Sequence, residues 1–220
     1  MSEPSAAEAL PLEKPRSILA EVLERRRVLL VLGILIAELV LFVVGLFTPL
    51  SSATQQTLAN ETSSQLGPVQ SASAAELVVF IFSHNLSIAV VEMVPILGAF
   101  VFVLSVYSTG LAAQALVASQ GLPGQLGVVL LAFPYSLVEL SAYAMAVGAG
   151  VMLLVAWRKG RLRRELKVFV LEVGLIAGVL LAAAAMETLT NFSPLLGFAL
   201  WLPTGLTIAG VIVISARYHR

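Results

Sequence analysis

The chain contains no cysteine and no aspartate, and every acid in it is a glutamate. Without a thiol there is no disulfide, no thiolate metal ligand and no sulfur nucleophile. Charge is scarce as well: 12% of the 220 residues are charged and 59% are hydrophobic, with a mean hydropathy of +0.97. That balance lies far outside the composition of a soluble domain and describes an integral membrane protein, with lipid as its first partner. Basic residues are missing from the whole stretch between Arg27 and Arg158 and gather in the N-terminal segment, one central block and the last few residues. Such an asymmetry is a topology signal and not a nucleic-acid footprint. Gly-rich phosphate loops are absent too, so neither nucleic acid nor nucleotide is expected as a partner.

What is present predicts an all-α, polytopic helical membrane protein of five to six apolar segments. Residues 1–27 begin with a Pro-, Ala- and Glu-rich tail, expected to be disordered to about Arg16, and continue from Ser17 to Arg27 with the helical spacing of an interfacial helix. The basic cluster places the N-terminus in the cytoplasm at the cell membrane. Residues 28–47 have the length of a first span, and the polar leader before them reads as part of a signal anchor, not a cleaved signal peptide. Residues 48–76 are rich in Ser, Thr and Gln, carry no Lys or Arg, and contain the sequon Asn60-Glu61-Thr62, which suits an external loop with a candidate glycosylation site at Asn60.

Residues 77–157 form a core of broken apolar helices. The run to Ser119 is interrupted at Ser83-His84-Asn85 and at Pro95, which predicts a short helix and a long bent one, with Asn85 a candidate cap. The next run is broken at Pro134-Tyr135-Ser136. Residues 158–167 (RKGRLRRELK) are the strongest basic block, and residues 168–220 hold the last two spans and a short basic C-terminus. If residues 77–119 and 126–157 each cross once, the basic block lands outside, against the positive-inside rule. A re-entrant stretch around Pro134 would restore it.

Ionisable groups inside the apolar runs are few: Glu38, Glu92, Glu139, Glu172 and Glu187. Each costs about 2.5 to 3.5 kcal/mol at a helix centre on insertion scales, and no Lys or Arg stands within the spans to offset it. His84 is the one cationic candidate at depth. The candidate intramembrane polar core is therefore His84, Asn85, Glu92, Tyr135, Ser136, Glu139 and Glu187. Two readings stay open: polar glue that fixes helix packing, and a path for protons, ions or substrate. Small residues recur every fourth position at Ala142, Ala146 and Gly150, and again at Gly174 and Gly178, as helix-packing faces for the fold itself or for an oligomer. No H-E-x-x-H, Glu-x-x-His pair or G-x-S-x-G is found, so neither a metal, another cofactor nor an enzymatic activity is expected.

In order and spacing these patches resemble the stage II sporulation protein M family over residues 77–194. The matching positions are Phe82 and Asn85, Pro95 and Gly98, Gly110, the run Pro134-Tyr135-Ser136-Leu137-Val138-Glu139, and Glu187 with Thr188 and Thr190. Tyr135 and Ser136 stand where the family usually has His and Gly, so a role that depends on that His does not carry over. Glu139 and Glu187 do match. The resemblance implies a helical membrane module without known catalysis that organises itself or membrane-protein partners. The family's namesake scaffolds wall-degrading partners in sporulating bacteria, a task that does not transfer with the motif. Relatives also occur in archaea, and a composition poor in Lys and free of Asp and Cys is compatible with a thermophile.

Overall fold

The computed structural model describes residues 21–66 and 72–218. The N-terminal tail and the start of the expected interfacial helix lie outside the described residues, as do His219 and Arg220. The described chain is helical throughout: α1 (Arg25–Phe47), α2 (Ser52–Leu66), α3 (Ala74–Glu92), α4 (Leu97–Ser119), a 3-10 segment (Gly124–Ala132), α5 (Pro134–Arg158), α6 (Leu162–Phe192), α7 (Pro194–Ala199) and α8 (Trp201–Tyr218). Five of these, α1, α3, α4, α5 and α6, are long and apolar enough to cross a membrane, and residues 194–210 form a shorter apolar stretch.

Local chemistry sets the ends. Ser73 caps α3 in a reciprocal box, its hydroxyl accepting from the Glu76 N–H while Glu76 Oε2 accepts from the Ser73 N–H at 2.8 Å. Proline opens α5 and α7, where its missing N–H costs nothing. The expected external loop holds a helix of its own, α2, which packs on α4 and leaves Asn60 exposed.

The break in the first long run falls later than Ser83–Asn85. α3 passes through these three residues unbroken, so Asn85 is no cap, and the chain turns only between Met93 and Ile96. There the Pro95 carbonyl accepts from the Leu97 N–H at 2.9 Å around Ile96, whose φ of 70° and ψ of −58° form a left-handed γ-turn. Gly98 lies so close to the Glu92 carbonyl that a Cβ would collide with it. α3 and α4 are thus two separate helices, each long and apolar enough to cross, joined by a tight turn.

That turn resolves the parity problem. Pro95 shares a groove with Trp157 and Leu162, and Arg27 bonds to α6, so the start of α1, the Pro95 turn and the basic block occupy one end of the bundle. The other end carries α2, the 3-10 segment and the Thr190–Gly197 contact, where no Lys or Arg stands. Helix breaks do occur at Pro95 and Pro134, but Pro134 starts a full 25-residue helix. The nine residues of the 3-10 segment before it span only about 18 Å, too short to cross, and the positive-inside rule no longer needs a re-entrant stretch.

α5 is the axis. Ala142, Ala146 and Gly150 are buried on it, packed with Ala89 of α3, Met93 just past the end of α3, and Ile176 and Leu180 of α6. A second cluster joins Phe42 and Leu46 of α1 to Phe102, Val106 and Ala113 of α4 and Val147 of α5. In it Gly45 and Gly110 let two backbones touch, a Cβ on Gly45 falling 2.5 Å from the Tyr107 carbonyl oxygen.

Candidate functional site

The polar residues that the fold gathers come from five helices. α1 brings Glu38, wholly buried, and α3 brings Glu92 at 1% and Asn85 at 6% exposure. α5 brings Glu139 and Tyr143, and α6 brings Glu187 near its C-terminal end. Glu139 is the hub: Tyr143 donates its hydroxyl to Glu139 Oε1 at 3.2 Å, four residues along the same helix face, and the buried Asn85 of α3 stands near the same carboxyl. Ser105 of α4 donates to Glu92 Oε1 at 3.0 Å. Glu38 lies within electrostatic reach of both Glu92 and Glu139, and Glu187 of Glu139. The carboxyl groups therefore form a string from Glu187 at one end, through Glu139 and Glu38, to Glu92 beside the Pro95 turn.

Not every group in that string is satisfied. Both Glu38 carboxyl oxygens, and Oε2 of Glu92, are buried without a hydrogen-bond partner. A buried carboxyl without a partner carries a desolvation cost of several kcal/mol if ionised, on the order expected for an isolated charge.

Tyr135 belongs to the edge of the string, beside Glu187 and Glu139. Ser136 is occupied elsewhere, its hydroxyl donating to the Leu130 carbonyl at 2.7 Å and tying the 3-10 segment to α5. His84 does not join the core. It is exposed on a different face of α3 from Asn85, stacked on Phe80 at 6.5 Å, with the Ser87 hydroxyl bonded to its carbonyl. Asn85 and His84 are neighbours in sequence, and a helix turns consecutive residues about 100° apart, so they cannot share a face. Gly174 and Gly178 also face outward, with nothing within 4 Å of where a Cβ would stand, so only the Ala142–Gly150 face packs inside the fold.

The expectation that no basic residue reaches the buried acids is overturned at the basic end. Arg27 is only 5% exposed and binds two acids of α6: Nη1 donates to Glu172 Oε1 at 2.9 Å and Nη2 to Glu165 Oε1. Glu172 is therefore a paired acid. A second bridge, Arg164 to Glu21, reinforces the same junction. The signal was in the sequence: Glu165 and Glu172 are seven apart, two turns along one helix face, where a single long cation can meet both. Among the described residues no group of three or more acids and histidines is arranged to hold a metal.

Five apolar spans packed around small residues, with acids inside, define a multi-pass α-helical membrane protein. The family model described as stage II sporulation protein M matches residues 28–191, which runs from the first span to the end of α6. The chain belongs to this family. No curated protein matches the chain. No solved structure matches it either.

Proposed function

We propose that this protein is a non-enzymatic structural component of the membrane, a scaffold or membrane-shaping element that assembles with itself or with membrane-protein partners. One observation carries the reading. The buried acid Glu92 stands where chain segments meet backbone to backbone: Gly98 abuts its carbonyl across the turn, and a Cβ on Gly150 of α5 would fall 2.7 Å from the Met93 carbonyl oxygen and 3.5 Å from that of Glu92. Acids set into contacts this close fix the registry of helices, as interhelical hydrogen bonds do. They leave an outer surface of apolar side chains such as Ile36, Phe100, Leu104 and Val170, open to lipid or to a partner. The orientation that goes with the reading puts the basic end, and with it the N-terminus, in the cytoplasm. Reconstitution into lipid nanodiscs followed by mass measurement tests the assembly: particles larger than one chain are expected, and a strictly monomeric particle would sink it.

A proton or ion path is the second reading, favoured by the string of carboxyls from Glu187 to Glu92 and the unpartnered oxygens of Glu38. Acids in sequence along a membrane protein are the usual material of proton relays. Proteoliposomes showing proton or cation flux that Glu139→Gln abolishes would promote it; no flux above empty vesicles would remove it.

A further inference from the structure

The outward face of α3 carries polar groups where lipid would lie. Glu76, Phe80, Ser83, Ser87 and Val90 are all exposed and alternate four and three residues apart, the spacing of a seam between two supercoiled helices. His84 is exposed beside them at the middle of the helix. An open groove of about 720 Å³ runs along this face, lined by Ala75, Glu76, Val79, Phe80, Ser83 and His84. The outward face of α1, by contrast, is apolar throughout, with Leu29, Leu32, Ile36, Val40, Val44 and Phe47.

Lipid tails suit the α1 face and not the α3 face. Ser87 already donates its hydroxyl to the His84 carbonyl within its own helix, but the His84 imidazole and the Ser83 hydroxyl at the middle of a span find no hydrogen-bonding partner among acyl chains, so intramembrane polar groups of this kind face protein or a hydrated cavity. The occupant must therefore supply donors and acceptors at the same depth. A second copy of this chain does so by symmetry. A neutral imidazole has one donor and one acceptor nitrogen, and a serine hydroxyl has both functions, so the patch is its own complement. Two copies inserted in the same direction and related by a two-fold axis along the membrane normal bring like residues to like depth.

We propose that the face of α3 centred on Ser83, His84 and Ser87 is the contact between two copies of the chain. The inference rests on the assembly reading and gives it a surface and a partner. In the pair, the four-and-three spacing lets Phe80 and Val90 pack above and below the polar centre, while Glu76 stays at the watery end under its Ser73 cap. His84 joins its counterpart or a serine across the seam.

The chain has no cysteine, so a single introduced cysteine reports its own position. Ser83→Cys and Ser87→Cys, oxidised in native membranes with a membrane-permeant catalyst, are expected to give disulfide-linked dimers, and Ile36→Cys on the lipid face of α1 is not. His84→Leu, which suits lipid, is expected to lower the Ser87→Cys dimer yield at least fivefold. His84→Gln, which keeps a donor and an acceptor, holds the yield within twofold. Larger-than-monomer particles in nanodiscs without dimers at either serine, or dimers untouched by His84→Leu, would overturn this surface and leave the assembly reading standing. Monomers in nanodiscs, with no dimers, would overturn both.

Discussion

At the scale of single residues, the energetics concentrate on two buried charge problems with different solutions. Arg27 meets Glu165 and Glu172 at the basic end, where each charge depends on the others. Removing the cation alone strands two acids, so Arg27→Met is expected to destabilise the protein by about 3 to 5 kcal/mol, the size found when one partner of a buried pair is lost. Adding Glu165→Gln and Glu172→Gln should restore most of that. Thermal unfolding in detergent, followed by helical circular dichroism, compares the variants, and equal melting points for wild type and Arg27→Met would refute the clamp. Glu38 is the opposite case, an acid whose oxygens have no partner. Glu38→Gln should leave the melting point within a few degrees of wild type or raise it, because an amide occupies the same volume and can carry no charge to desolvate. A large loss would mean that the carboxyl is held by a contact an amide cannot make.

Among the elements, the glycines separate contacts inside the fold from faces turned outward. Gly45 and Gly110 are where α1 and α4 touch, so Gly110→Ala drives a Cβ into the Phe42 carbonyl and should cost about 1 to 3 kcal/mol by overpacking. Gly174 and Gly178 meet nothing, so Gly174→Ala should be neutral or gain up to about 1 kcal/mol from helix propensity. Detergent melts of the two variants should therefore move in opposite directions; a shared loss would place α6 in a contact that the fold does not contain. The turn between α3 and α4 adds a third test. Ile96 holds a left-handed backbone that a β-branched residue adopts at a cost of about 1 to 3 kcal/mol. Ile96→Gly should raise stability by roughly 1 kcal/mol, since glycine enters that region freely.

For the whole molecule, the arrangement of ends makes a topological prediction that needs no knowledge of function. Single cysteines at Ile96 and Lys159 should react with an impermeant maleimide from the same side of sealed vesicles, and cysteines at Ser64 and Gly121 from the other. Labelling of Ile96 and Lys159 from opposite sides would break the five-crossing fold. One bent crossing through residues 77–119 followed by a full crossing through 126–157 would place Lys159 with Ser64, and one bent crossing with a re-entrant stretch at Pro134 would leave Ile96 within the bilayer and unlabelled, so the same vesicles separate all three arrangements. The proposed pairing of α3 faces belongs to this scale as well, because it takes the assembly, and not the single chain, as the unit that covers the groove bearing His84.

Much of this was legible in the sequence. Hydropathy alone determines that the chain lives in lipid and that its elements are helices, since backbone groups in hydrocarbon must bond within their own segment. The breaks at Pro95 and Pro134 follow from proline's missing donor, and the order of Phe82, Asn85, Pro134, Glu139 and Glu187 points to the family found over residues 28–191. Tertiary structure alone decides which face each residue takes. Asn85 turns inward and His84 outward, Gly150 packs while Gly178 does not, and Arg27 leaves the basic cluster to join Glu172. A helix that is apolar all round carries no periodic stripe to say which side is buried, so in a membrane protein the partners of each face are set by packing between helices and not by the pattern along any one of them.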